Sequence, residues 1–398
     1  MKRIVPPPPD WHRDLFTVGV TGTNGKTTTT AWIAAALRQL GAPVPRATTV
    51  GFFLDDERLP IEKTYDGFIA AMKLARDRGA HHAAIELTSE ALAGGFAVAW
   101  PCRVGVFTNL THDHLDAHGS PEHYLASKAQ LFVSLPPDGT AVVNACDPVF
   151  KLLCDIMPPN VRVLSYAVPL RGKPHCDADI LATHVDVSWE GTRIHCTSSN
   201  PLLPKELCIR AIGSVYAENA LAALLGAYAA GVPVHDAVAA LAQCAPPPGR
   251  FEVIHTRPYV VVDYAHSPDA LARTVTAARA LTKNAKLTVV FGAGGKRDKN
   301  KRGPMGKAAR LADTVILTSD NPRDEDPSEI ARAIAEGLHD HSDVRTIVDR
   351  QEAIFAAIRG SSGDDVILIA GKGHETEQTI GDVTRPFSDV DVAKAALR

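Results

Sequence analysis

The chain has 398 residues, enough for two or three sizeable cores, with 45% hydrophobic and 22% charged residues, the balance of an ordinary globular protein. A formal net charge of -3 gives no bulk basic character, so nucleic acid is not an expected partner. The seven cysteines form no CxxC pair, no apolar run is long enough to span a bilayer, and "MKRIVPPPPDWHRD" lacks the apolar core of a secretion signal, so reduced thiols and a cytoplasmic location are expected.

Four prolines, Pro6 to Pro9, predict a stiff, extended lead-in over residues 1–14. A strand at 15–20 then runs through a glycine-bearing turn into a helix at 28–40, stopped by Gly41. Further strands are expected at 82–87, 103–110 and 140–145, a small antiparallel appendage at 161–212, and an alanine-rich helix at 217–230, stopped by Gly231. The proline-rich "APPPGRFEV" at 245–253 marks the boundary between a first domain at 15–245 and a second at 246–398. Strands then recur at 259–266, 286–295, 313–322 and 365–373, with helices between them. Strand alternating with helix predicts an α/β protein with mostly parallel sheets, whose ligands bind at the strand-end loops.

The most informative stretch is "VGVTGTNGKTTTT". The full GxxxxGK[ST] pattern would need glycine where Val20 stands, but Gly22, Thr23, Asn24, Gly25, Lys26, Thr27 and Thr28 lie between a strand and a helix. Two glycines let backbone N–H groups converge on phosphate oxygens, and the helix adds its positive end. Lys26 can neutralise the β- and γ-phosphates, and the Thr27 hydroxyl can ligate Mg²⁺. The strand ending in Glu86 offers a carboxylate beside this loop, either as a metal ligand or as a polar cap. "TNLTHDHLDAHG" at 108–119 holds three histidines and two aspartates. Zinc is one reading of that cluster, and support of a Mg²⁺-nucleotide site is the expected one. Lys128 reads, from the residues alone, as an ordinary lysine on a helix after Tyr124. "KRDKNKR" reads as a solvated basic loop.

Taken together, "TGTNGKTT", "TNLTHDHLDAHG", Tyr124 with Lys128, "NACDP", "PPGRFEV", "VVDYAHSPDAL", "VFGAGGKRDKNKR", "SDNPR" and "AGKGHE" resemble the Mur ligases, and within them the MurE branch. The resemblance runs from Val18 nearly to the C-terminus. It implies a P-loop central domain followed by a Rossmann-like C-terminal domain. It also implies an ATP- and Mg²⁺-dependent amide ligase, in which a substrate carboxylate becomes an acyl phosphate and is then attacked by an amine. Lys26 and Thr27 would grip the phosphates, and Glu86 and His114 would help hold magnesium. Asn219 would approach the adenine, and Arg250 and Asp263 would serve the nucleotide from the second domain. Lys128 would be carbamylated and support a second Mg²⁺. Asp320, Asn321 and Arg323 of "DNPR", with Arg297, Gly371 and Glu375, would receive meso-diaminopimelate or a similar amino acid. A guanidinium suits its extra carboxylate, and Glu375 its distant ammonium.

Several positions depart from that family. About seventeen residues precede the first strand, too few for the usual uridine-nucleotide-binding domain, so a separate protein supplying acceptor recognition is one expectation. Glu90 and Phe96 stand where the family carries histidine and arginine, and "KTY" at Lys63 to Tyr65 replaces a dipeptide-binding run. Tyr216 replaces the first asparagine of the family's G-x-x-N-x-x-N segment, and Asn219 keeps the second. The expected activity is a MurE-type ligase joining an amino acid to a carboxylate such as a muramyl peptide. The alternatives are a ligase for another carboxylate, as in cyanophycin synthesis, a catalytically silent nucleotide-binding partner, or a P-loop kinase.

Overall fold

The computed structural model describes residues 6–111, 120–170 and 172–398. The chain divides into two compact units. The first comprises residues up to Asp186, with Gly191–Arg210 and Ser214–Cys244. The second comprises Val187–Glu190, Ala211–Gly213 and Ala245–Arg398.

The first unit is built on an eleven-stranded sheet. In chain order its strands are β1 (Phe16–Thr21), β2 (Pro45–Thr48), β3 (Gly51–Leu54), β4 (Glu57–Leu59), β5 (His82–Glu86), β6 (Val104–Phe107), β7 (Thr140–Asn144), β8 (Arg162–Ala167), β9 (Ile180–Ser188), β10 (Gly191–Thr197) and β11 (Glu206–Ile209). Their spatial order is β11-β10-β9-β8-β7-β6-β1-β5-β2-β3-β4. The central strands β5, β1, β6, β7 and β8 all run parallel. Their near-continuous apolar sequences are what a sheet covered on both faces requires.

Two helices on this sheet set the site. Lys26–Leu37 starts directly after the glycine loop and continues as a 3-10 turn to Leu40, ending at Gly41 in the left-handed region. Val215–Ala229 is alanine-rich and buried over most of its length. Small side chains let the two pack closely: a Cβ on Gly226 would come within 3.0 Å of Ile33. The residues after the four prolines form a 3-10 turn, Asp10–Asp14, and Trp11 meets Trp100 edge-on at 5.6 Å.

Two expectations need correction. Residues 161–212 do not form a separate antiparallel appendage, because β8 and β9 extend the central sheet in parallel from β7, and only β10 and β11 close it in antiparallel fashion. Short polar-alternating runs at a sheet margin resemble those of an independent β module, and composition does not separate the two. The strand expected over 103–110 ends at Phe107, because Thr108 to Leu110 turn to hold the glycine loop.

The second unit has a six-stranded sheet in the order β12-β13-β17-β14-β15-β16. These are β12 (Glu252–Thr256), β13 (Tyr259–Asp263), β14 (Leu287–Phe291), β15 (Thr314–Leu317), β16 (Val344–Thr346) and β17 (Val366–Ala370). All neighbours are parallel except β12 and β13. A hairpin of β18 (Glu377–Ile380) and β19 (Val383–Pro386) follows. The α/β class with mostly parallel sheets is therefore as expected. No helix among the described residues is long and apolar enough to cross a membrane.

Trp100 is completely buried, donates from Nε1 to Thr17 Oγ1 at 3.1 Å and meets Phe68 edge-on at 4.9 Å. Trp100→Ala should cost about 3–5 kcal/mol in chemical denaturation; a loss below about 1 kcal/mol would mean that this corner of the core collapses without penalty.

Candidate functional site

In the first unit the candidate site grows from the C-terminal end of β1. Gly22 and Gly25 have φ of 147° and 83°. A Cβ on Gly22 would lie 1.9 Å from Thr108 Oγ1, and one on Gly25 would lie 2.1 Å from Asn219 Oδ1. Neither position therefore admits a side chain. Gly25 is also the N-cap of Lys26–Leu37 and offers no side-chain acceptor to the first-turn N–H groups, which suits an external anion at a positive helix end.

The loop is braced from behind. Asn109 accepts from Thr23 N–H through its carbonyl at 2.7 Å and from Asn24 N–H through Oδ1 at 3.0 Å. Its Nδ2 and the Thr108 hydroxyl both donate to Asn24 O, at 3.1 and 2.7 Å. Thr111 N–H donates to Thr23 Oγ1. Behind these residues, Asn144 Nδ2 donates to Thr108 O and Leu110 N–H to Asp147 Oδ2. The motifs "TNLT" and "NACDP" thus do structural work on the glycine loop. Sequence reading missed Thr108, Asn109, Asn144 and Asp147. Asn and Asp at or just after the ends of buried strands are residues whose side chains bond backbone, but nothing local in the sequence names the glycine loop as their partner.

Thr27 and Glu86 meet: the Thr27 hydroxyl donates to Glu86 Oε2 at 2.8 Å. The register explains it, since Val20 pairs with Glu86 across β1 and β5. The same oxygen accepts from Thr49 N–H and Oγ1. Lys63, from the "KTY" run, donates to Thr49 O at 3.0 Å. Oxygen donors of this kind suit Mg²⁺, so Thr27 and Glu86 fit a metal beside the glycine loop. Lys26 Nζ donates to Thr23 O at 2.8 Å.

Lys128 reaches the loop from the helix Pro121–Val133. It is 1% exposed, donates to Gly22 O at 2.7 Å, and lies 4.2 Å from the centre of the Tyr124 ring. Tyr124 in turn donates to Thr23 Oγ1 at 3.2 Å. Asn219 is buried against Gly25. His114 lies outside the described residues.

The second unit carries the other candidates. Asp263 ends β13 and is buried. Its Oδ2 accepts from Phe251 N–H at 2.7 Å, and its Oδ1 from Ala265 N–H and the Thr274 hydroxyl. Burial raises its pKa, opposed by Arg250 and these donors. With both oxygens engaged, Asp263 fixes the turn that carries Arg250, whose guanidinium lies 4.4 Å from the Tyr264 ring centre.

A cleft of about 210 Å³ is lined by Asn321, Arg323, Glu375, Thr376, Glu377 and Thr379. Arg323, at φ 52°, donates to Gly295 O at 2.7 Å. Asn321 donates to Glu375 Oε2 at 3.1 Å, and Lys372 donates to the same oxygen at 2.9 Å. Asp320 and Gly371 sit behind the cleft, where a Cβ on Gly371 would lie 2.7 Å from Asp320 Oδ2. Arg297 is exposed and is not among the cleft-lining residues. Its loop is tied down by Glu325, which accepts from Lys296 N–H and Arg302. Those donors pull the Glu325 pKa down to about 2. Lys372, Thr379 and Glu325 were not singled out from the sequence.

Comparison with known proteins gives a consistent result. The pattern of the Mur ligase middle domain matches residues 20–227, and that of the Mur ligase glutamate ligase domain matches residues 249–373. The chain is 36% identical to UDP-N-acetylmuramoyl-L-alanyl-D-glutamate–2,6-diaminopimelate ligase of Bacillus velezensis, over 97% of this chain and 79% of that one. It is 38% identical to the ligase of the same name from Chromobacterium violaceum, over 97% and 78%. A solved structure of a ligase of that name superposes with a TM-score of 0.70 at 32% identity, over 99% of this chain and 79% of that one.

Two outcomes follow from the geometry. Asn109→Ala should loosen the glycine loop and weaken ATP binding about tenfold or more, read by titration calorimetry, because it removes both side-chain bonds to Asn24. Unchanged ATP affinity would make the brace irrelevant. Because the folded pKa of Glu325 lies below its ordinary 4.5, its stabilisation is complete above that value and lost as pH falls from 4.5 toward about 2. The difference in melting temperature between the parent chain and Glu325→Gln should therefore shrink between about pH 6 and about pH 3.5. A constant difference would count against the tether.

Proposed function

The chain belongs to the Mur ligase family, ATP- and Mg²⁺-dependent enzymes that form an amide bond and release ADP, and on that premise we propose that it joins the amine of meso-diaminopimelate to the carboxylate of a muramyl peptide. The carrying observation is the cleft in the second unit, where a guanidinium, an amide and a carboxylate converge from Arg323, Asn321 and Glu375. Beside the amine that reacts, diaminopimelate carries a second ammonium and two carboxylates, one of them at the distant end with that ammonium. Arg323 takes the carboxylate in a bidentate fork, and Glu375 takes the ammonium.

In the first step an oxygen of the acceptor carboxylate bonds to the γ-phosphorus of ATP, and the bond to the β,γ-bridging oxygen breaks, leaving ADP and an acyl phosphate. The amine nitrogen then bonds to the acyl carbon, the carbon–oxygen bond to phosphate breaks, and inorganic phosphate leaves. Gly22, Thr23, Asn24, Gly25, Lys26, Thr27 and Thr28 hold the phosphates, with Lys26 neutralising charge that builds on the departing bridge oxygen. Thr27 and Glu86 would hold Mg²⁺, and His114 would be the further ligand that the family resemblance implies. Magnesium supplies charge neutralisation for the phosphate oxygens. Asn219 takes the purine end, and Arg250, turned by Asp263, serves the nucleotide.

Lys128 takes up CO₂: its neutral amine bonds to the carbon, a proton is released, and the resulting carbamate supports a second Mg²⁺. Its burial and its reach to Gly22 O at 2.7 Å, beside the glycine loop, support that role. Lys63, Glu90 and Phe96 differ from the family on the acceptor side. The acceptor is therefore gripped differently here, and a separate protein that presents it is compatible with those changes.

Phosphate release with ATP, Mg²⁺ and meso-diaminopimelate tests the reading, comparing UDP-MurNAc-L-Ala-D-Glu with the free L-Ala-γ-D-Glu dipeptide. Release that requires both acceptor and amine, and that falls about 100-fold or more in Lys128→Ala, is expected. ADP formed without free phosphate would mean a kinase, and no turnover with either acceptor would move the chain to another carboxylate.

A further inference from the structure

Arg350 and Asp389 are both completely buried, with side chains at 0% exposure. Arg350 opens the helix Arg350–Arg359, and Asp389 opens the helix Asp389–Ala396. The two meet as a fork: Nε donates to Asp389 Oδ1 at 2.7 Å, and Nη2 to Oδ2 at 2.7 Å. Two further donors of the guanidinium reach backbone. Nη2 donates to Ala370 O at 2.9 Å, and Nη1 to Ser319 O at 3.3 Å.

Those two carbonyls are not arbitrary. Ala370 is the last residue of β17 and Ser319 follows the end of β15, so the next residues in the chain are Gly371 and Asp320. From there the chain enters the two loops that supply Asn321, Arg323 and Glu375 to the cleft. One buried cation thus fixes the exit points of both loops. Gln378 adds a second tie, donating to Ser319 Oγ at 3.1 Å and Asp320 O at 2.8 Å. A buried ion pair is seldom worth its desolvation in stability alone, whereas a planar fork with fixed donors sets geometry well.

We propose that the Arg350–Asp389 pair is a positioning device for amine recognition, setting the separation and direction of the Asp320–Arg323 and Gly371–Glu375 segments. Neither residue touches the amine. The proposal rests on the reading of the cleft as the amine site.

Arg350→Lys tests it, because an ammonium still neutralises Asp389 but cannot hold both carbonyls and both carboxylate oxygens together. The KM for meso-diaminopimelate should rise about tenfold or more while the KM for ATP stays within about twofold. Amide hydrogen exchange should accelerate in 320–323 and 371–375 and stay unchanged in 22–28. Where Arg350→Lys does not fold, Asp389→Asn serves: it keeps both carbonyl contacts but removes the counter-charge, and should shift the same two readouts in the same direction by less. A folded variant with unaltered exchange in both segments, or with equal losses for ATP and amine, overturns the proposal. Accelerated exchange in a protein whose parent chain binds no meso-diaminopimelate by titration calorimetry upholds the clamp and refutes the amine reading of the cleft.

Discussion

The close approach of the β6 exit to the glycine loop is the constraint on which the first unit depends. Thr108 Oγ1 and Asn219 Oδ1 occupy the space that side chains at positions 22 and 25 would fill. The loop can therefore be neither bulkier nor looser without displacing a neighbour. Because Asn109 ties both Thr23 and Asn24, the loop is held in shape before any ligand arrives. Preorganisation of this kind means little of the binding energy is spent on ordering backbone. The sheet serves the same end, since the parallel pairing of β1, β5 and β6 brings Gly22, Glu86 and Thr108 to one edge.

The alternation of strand and helix, and the residues of the phosphate loop, were legible because they are local patterns. A glycine turn between an apolar strand and a helix carries its meaning within a dozen residues. Glu86 was legible as a strand-end carboxylate, though its partner Thr27 lies 59 positions away and is found only through register. The brace was not legible in that way. Asn109, Asn144 and Asp147 look like ordinary turn residues until folding stacks three strand ends beside the loop. Strands β8 to β11, toward one end of the large sheet, were misread because short β runs look the same whether they extend a large sheet or form a small one.

In the second unit the motifs "DNPR" and "AGKGHE" were readable as short words, but not the different places their residues take. Asn321, Arg323 and Glu375 face the cleft, while Asp320 and Gly371 press on each other behind it. Arg350 belongs to no glycine-rich motif and lies 31 positions after Ser319 and 20 before Ala370, separations that carry no periodic signal. Lys372 is also instructive. It donates to Glu375 Oε2, so the carboxylate is held in place by an internal cation whose role the motif alone does not announce.

Both sheets end in strands that are poor templates. The large one stops at β4, three residues long with Glu57 and Arg58 exposed, and at β11, four residues long with Glu206 exposed. The smaller one stops at the three-residue β16 and at β12, whose ladder slips between Val253 and His255. Seventeen strands packed into two sheets would otherwise present long rows of unpaired N–H and C=O groups while the chain is folding. Short, charged or bulged margins deny a neighbouring chain a register to adopt, and so limit edge-to-edge aggregation at high protein concentration.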